Sequence, residues 1–161
     1  MADLRALLCE LGYTNVSTVL NSGNAVFTAA GGTTKSHASA IARGIADRLN
    51  LEVPVLVKSA RELFAIVAEN TLCGETADPS RLLVAYAPDR ESLAALAPIA
   101  ALVKPPDRFH LGAHAAYLHW PAGSLQSPAG AALLGKQGRP ITTRNWATTL
   151  KLHALATQGA A

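Results

Sequence analysis

Residues 108 to 120 alternate strictly once a two-residue turn is placed at Ala113-His114: Phe109, Leu111, Leu118 and Trp120 take one side, Arg108, His110, Tyr117 and His119 the other. Successive side chains of a strand point to opposite faces, so this segment specifies a hairpin with one buried and one open face. A slip of one residue would turn its whole apolar set toward water. Any fold available to the chain must therefore provide an antiparallel sheet with an apolar layer under one face.

The flanking segments supply helices and further strands. Leu4, Leu7, Leu8 and Leu11 form a helical stripe that Gly12 ends. Asn15 to Asn21 and Asn24 to Thr28 predict a hairpin turning at Ser22-Gly23. Gly31 to Lys35 is expected as a loop, His37 to Leu49 as a helix on Ile41, Ile45 and Leu49, and Val53 to Lys58 as a strand. Ser59 and Glu62 have the spacing of a capping box for a helix to about Asn70. Thr71 to Ser80, with Gly74 and Pro79, is the best boundary between halves. Beyond it come a strand at Arg81 to Tyr86, a helix capped by Asp89, the hairpin after Pro105-Pro106, a short helix at Pro128 to Leu134, a short strand at Pro140 to Thr142 and a last helix at Trp146 to Leu155.

That order predicts an α+β fold with largely antiparallel sheets. The second half follows βαββαβ, and the first follows the same pattern without its first strand, giving two ferredoxin-like (α/β plait) halves, 1–72 and 80–161, of one domain spanning 1–161.

The chain's 161 residues are enough for a core without staples. Half are hydrophobic and 5% aromatic, so that core is built mainly from Ala, Leu, Val and Ile. Cys9 and Cys73 lie far apart with no Cys-x-x-Cys, which predicts reduced, buried thiols, a cytoplasmic location and neither metal nor cofactor. Asp3, Arg5 and Glu10 interrupt the amino-terminal leucines, unlike a signal peptide. The longest apolar run, Leu93 to Val103, contains Pro98 and falls short of the roughly 20 residues that span a bilayer, so no membrane partner is expected.

Charge is unevenly spread. Residues 1–100 carry eight basic and ten acidic side chains, residues 101–161 six and one, and four of the five histidines lie in that second part. This favours an anionic partner there, either a small molecule or a nucleic acid, although a solvated basic face has the same composition.

Three runs carry a resemblance: Met1 to Leu8 followed by Leu11-Gly12-Tyr13; Leu20-Asn21-Ser22-Gly23-Asn24-Ala25-Val26-Phe27; and Thr142-Thr143-Arg144-Asn145-Trp146 with Leu150-Lys151-Leu152. With Phe109-His110-Leu111-Gly112 and Tyr117-Leu118-His119 they make the chain similar to the bacterial family called domain of unknown function 1697, along nearly its whole length. The resemblance implies an α+β fold of two plait-like halves and brings no established activity. Members usually begin with a strand and a glycine-containing loop ahead of the position of Met1. The chain is accordingly expected to be a shortened form or one starting at an internal methionine, with strand donation by a second copy, a homodimer through an exposed sheet edge, as the alternative.

Candidate chemistry centres on Thr142 to Trp146, which has the look of a helix start. Thr143 or Asn145 can cap, Arg144 adds a forked cation, and the helix dipole favours an anion, so Thr143, Arg144, Asn145 and Trp146 outline a phosphate or carboxylate site. The plainer alternative has Thr and Asn capping, Trp146 in the core and Arg144 paired with an acidic residue. Ser22 and Asn24 present polar groups from a tight turn, as turn residues also do without a ligand. Tyr117 on the open hairpin face could stack a base, and His119 there is a weak candidate acid or base. Gly135-Lys136-Gln137-Gly138-Arg139 has a phosphate-loop composition without the Walker spacing. The leading expectation is a binding protein for an anionic ligand. The rivals are a small enzyme with a polar cleft between its halves and an assembly protein acting through a sheet edge.

Overall fold

Leu7 and Leu8 are buried on one side of α1 (Ala2–Glu10), and Gly12, at φ +88°, takes the left-handed conformation that follows a helix end. From there the chain runs through β1 (Thr14–Val19), β2 (Asn24–Thr28), α2 (Thr34–Leu49), α3 (Ala60–Glu69), β3 (Leu82–Tyr86), α4 (Arg90–Ala94), β4 (Arg108–Leu111), β5 (Ala116–His119), α5 (Pro128–Leu134), β6 (Thr142–Asn145) and α6 (Trp146–Gly159). The computed structural model describes residues 2–21, 23–74, 77–123, 126–135 and 140–159. Every strand pairing among them is antiparallel, so the α+β class expected from the sequence is the one observed. The chain divides into two compact units, Met1–Leu63 with Lys151–Ala161, and Phe64–Leu150.

In the first unit β1 pairs with β2, with an irregularity between Thr14 and Ser17. Leu7, Leu8, Tyr13, Val16, Ile41 and Ile45 form its core. Helices α1 and α2 approach closely at Gly44, where a Cβ would lie 2.9 Å from the Leu7 side chain. Helix α2 starts earlier than the loop expected at Gly31 to Lys35 allows. Thr33 accepts from the Ser36 N–H at 3.1 Å while the Ser36 hydroxyl accepts from the Thr33 N–H at 2.9 Å, a reciprocal cap built from two short polar residues. Asn50 closes the other end in the left-handed conformation.

The strand expected at Val53 to Lys58 does not form. Val55 and Val57 pack half-buried on the unit's core, yet residues 51–59 join neither helix nor ladder. A strand needs a neighbour for its backbone N–H and C=O groups. In the split βαβ order the last strand pairs with the first, and no strand precedes α1 among the described residues.

The second unit runs β3-α4-β4-β5-α5-β6 with sheet order β4-β5-β3-β6, so its first and third strands are central. All five residues of β3 are buried. One sheet face carries Leu83, Ala85, Ala116, Leu118 and Trp120, packed under Leu93, Leu96, Ile99, Ala129 and Leu133. Fully burying side chains such as Leu96 and Leu118 contributes about 1.5–3 kcal/mol each. Helix α4 is capped by Asp89, whose Oδ1 accepts from the Ser92 N–H at 2.7 Å, as the sequence indicated. The turn at Ala113-His114 also forms as expected, with Leu111 opposite Ala116 and the Gly112 N–H donating to the Ala115 carbonyl at 2.9 Å.

The other face of this sheet departs from expectation. It was to be open along Arg108, His110, Tyr117 and His119. Arg108 is exposed and the histidines half-buried, but Tyr117 is 0% exposed. The Tyr117 hydroxyl reaches the Ile66 carbonyl of α3 at 2.6 Å, and the neighbouring Tyr86 hydroxyl reaches Thr149 of α6 at 2.7 Å. Helical residues therefore cover the centre of the face, and periodicity within one hairpin carries no information about what packs on it.

Both cysteines are free and exposed rather than buried, because Cys9 lies off the Leu7–Leu8 stripe of α1 and Cys73 follows α3 in a turn, its thiol donating to the Asn70 carbonyl at 3.2 Å. Among the described residues no helix is long and apolar enough to cross a membrane.

Candidate functional site

The run Thr142 to Trp146 is a strand that becomes a helix. β-branched Thr142 and Thr143 suit an extended chain, and they pair with Tyr86 and Ala85 of β3, so the strand expected at Pro140 to Thr142 runs instead over Thr142–Asn145, and the last helix starts at Trp146 as expected. Asn145 is the cap: its Oδ1 accepts from the Thr148 N–H at 2.9 Å. Trp146 is 6% exposed and belongs to the interior. Thr143 offers its carbonyl, not its hydroxyl, and the acceptor is used by Arg144 Nη1 at 2.7 Å. The same nitrogen donates to Thr142 Oγ1 at 3.0 Å, so two contacts along its own strand orient the half-buried guanidinium just ahead of the first turn of α6.

Arg144 and Tyr86 influence one another electrostatically. Burial pushes the Tyr86 hydroxyl up to about 12, while the positive charge of Arg144 pulls the other way. Thr149 Oγ1 itself donates to the Asn145 carbonyl at 3.2 Å, which leaves it to accept from Tyr86.

The remaining candidates are scattered. Asn24 is buried in the first unit, where its amide donates to the Val19 carbonyl at 3.4 Å and ties β2 back to β1. Ser22 lies outside the described residues, as does the stretch Lys136 to Arg139. His119 pairs in the ladders with Arg108 and Leu82, and among the described residues its side chain has no hydrogen-bond or ion-pair partner to orient it. No cluster of three or more His, Cys, Asp or Glu residues suited to a metal occurs among the described residues.

One polar constellation escaped the sequence reading. Glu69, the last residue of α3, reaches over the β4–β5 turn. Its Oε2 accepts from the Ala113 N–H at 3.0 Å, and its Oε1 accepts from His114 N–H at 2.9 Å, Ala115 N–H at 3.0 Å and the Tyr117 hydroxyl at 2.9 Å. The Tyr117 proton is shared with the Ile66 carbonyl, and burial followed by the Glu69 bond and charge raises that phenol far above its ordinary range. Only Gly112 permits this approach, because a Cβ there would overlap the carboxylate. The donors are main-chain groups that any residue carries, so composition gives no signal for them. A second half-buried pair, Tyr13 and His37 Nδ1 at 2.9 Å with Phe27 beside them, belongs to the first unit's core.

A family model described as "Protein of unknown function (DUF1697)" matches residues 1–117. The chain belongs to the DUF1697 family. Among solved structures, the conserved bacterial protein SP0830 from Streptococcus pneumoniae is similar over 97% of this chain and 88% of its own, with 20% sequence identity and a TM-score of 0.77. At that identity the likeness concerns the fold. No curated protein matches the chain.

Proposed function

We propose that this DUF1697 protein binds an anionic ligand, a nucleotide, another phosphate-bearing small molecule or a nucleic acid, with Arg144 as the contacting cation and Thr143 and Asn145 beside it. The observation that supports this reading is the two-point anchoring of Arg144 at the start of the 14-residue α6. A guanidinium oriented next to the positively polarised end of a helix suits the oxygens of a phosphate. The scarcity of carboxylates after residue 100, Asp107 alone, adds a favourable field. Trp146, Tyr117 and Asn24 are buried and enter as supports of the local structure. Location in the cytoplasm is part of the same proposal.

Calorimetric titration with nucleotides and with single-stranded nucleic acid at low salt tests it. Wild type should bind at least one of them and Arg144→Ala should bind it about tenfold or more weakly, as expected for loss of a charge-assisted contact. Unchanged binding by Arg144→Ala, or no binding by wild type, would refute it.

A second reading, assembly of two copies, is favoured by β2. Among the described residues it pairs on one side only, and its five residues, Asn24 to Thr28, include no charge to discourage a further strand. Light scattering should then give a dimer that Val26→Lys converts to a monomer. A monomeric wild type would end that reading.

A further inference from the structure

The Glu69 carboxylate is held as a bound anion is held. Both of its oxygens are used, three consecutive main-chain N–H groups and one phenol converge on them, and among the described residues no Lys or Arg pairs with it. Successive N–H groups at a turn form a concavity suited to anions. The geometry also departs from an ordinary turn. The N–H of the fourth residue normally closes onto the first carbonyl, but here that N–H, on Ala115, goes to Glu69. Nor does the helix favour the arrangement, since a negative charge on the last residue of α3 faces the negative end of the helix dipole. The turn supplies the compensation.

We propose that Gly112 to Ala115, together with the Tyr117 hydroxyl, form a carboxylate receptor whose resident ligand is Glu69, a latch that ties the end of α3 to the β4–β5 hairpin. The ligand class is a planar carboxylate: one oxygen takes three donors, the other takes one, and glycine at 112 leaves room for the group to lie against the backbone. Ala113 and His114 are exposed and Glu69 is half-buried, so a small carboxylate reaches the turn from solvent once the Glu69 side chain is withdrawn. The proposal is independent of Arg144.

Chemical rescue of the full chain tests it. In Glu69→Ala the amide protons of residues 113–115 should exchange roughly tenfold or more faster than in wild type, as loss of a charge-assisted bond implies, and the Tm should fall. Sodium formate or acetate should restore both, whereas sodium chloride at the same ionic strength should not, and wild type should respond to neither. Equal rescue by inorganic phosphate would overturn the assignment to carboxylates. Unchanged exchange in the variant, or rescue no greater than with chloride, would overturn the receptor altogether. If Glu69→Ala does not fold, Glu69→Gln keeps the shape and removes the charge. Its amides at 113–115 should lose protection selectively, and wild-type protection there would refute the proposal.

Discussion

Gly112 lies so close beneath the Glu69 carboxylate that a single added carbon would occupy the same space. The two residues are a helix end and a hairpin turn distant in sequence, and the fit between them fixes what position 112 can be.

Gly112→Ala should therefore destabilise the protein by about 1–3 kcal/mol, the usual cost of forcing a methyl group into filled space. Urea unfolding measures it. Combined with Glu69→Ala the cost should be less than the sum of the two single changes, because removing the carboxylate vacates the space. Strict additivity would show that the overlap is relieved elsewhere.

The two sides of the Tyr86–Thr149 bond should respond unequally. Tyr86→Phe leaves Thr149 still donating to the Asn145 carbonyl, and the expected loss is about 0.5–1.5 kcal/mol. Thr149→Val leaves a buried phenol without its acceptor and should cost more, about 1–3 kcal/mol. The reverse order would mean that the donor has been assigned the wrong way round.

Tyr86 also predicts an alkaline limit. Its hydroxyl is pushed up to about 12 in the folded chain and has an ordinary value of 10.0. Stability is complete below that ordinary value. As pH rises beyond it the unfolded chain releases a proton that the folded chain keeps, so stability falls by about 1.4 kcal/mol per pH unit until the folded group titrates. Tyr117, raised in the same sense, extends the loss to higher pH. Urea midpoints measured from about pH 9 to pH 12 should decline less steeply in Tyr86→Phe than in wild type. Parallel slopes would contradict the shift.

At the start of α6, Asn145→Ala should cost about 1 kcal/mol through loss of the bond to the Thr148 N–H, and Asn145→Asp should retain most of it. Hydrogen exchange at Thr148 reads the cap directly, and an Asn145→Ala variant with wild-type protection there would refute it.

Local chemistry was legible in the sequence. The Ser59–Glu62 box, the Asp89 cap, the Ala113-His114 turn and the limits Pro128 and Leu134 of α5 each depend on residues a few positions apart, and each occurs where the spacing places it. Capping and turn formation are satisfied within one or two turns of chain, so the residue types suffice to predict them. The candidate run Thr142 to Trp146 was half legible for the same reason. Its cap, Asn145, acts three residues away, whereas carrying the strand expected at Pro140 to Thr142 on through Asn145 requires β3 beside it.

What the sequence determined by itself was the apolar alternation of residues 108 to 120, and with it an antiparallel hairpin whose register cannot slip. What only the tertiary structure decided was the fate of that hairpin's other face and turn. Tyr117 is closed off by α3, and the turn's N–H groups are gathered by Glu69, 45 residues from His114. The hydrophobic pattern of a strand records which face is apolar. It does not record which distant carbonyl or carboxylate will meet a phenol or a main-chain N–H, because every residue but proline carries that donor and only the fold brings the acceptor to it.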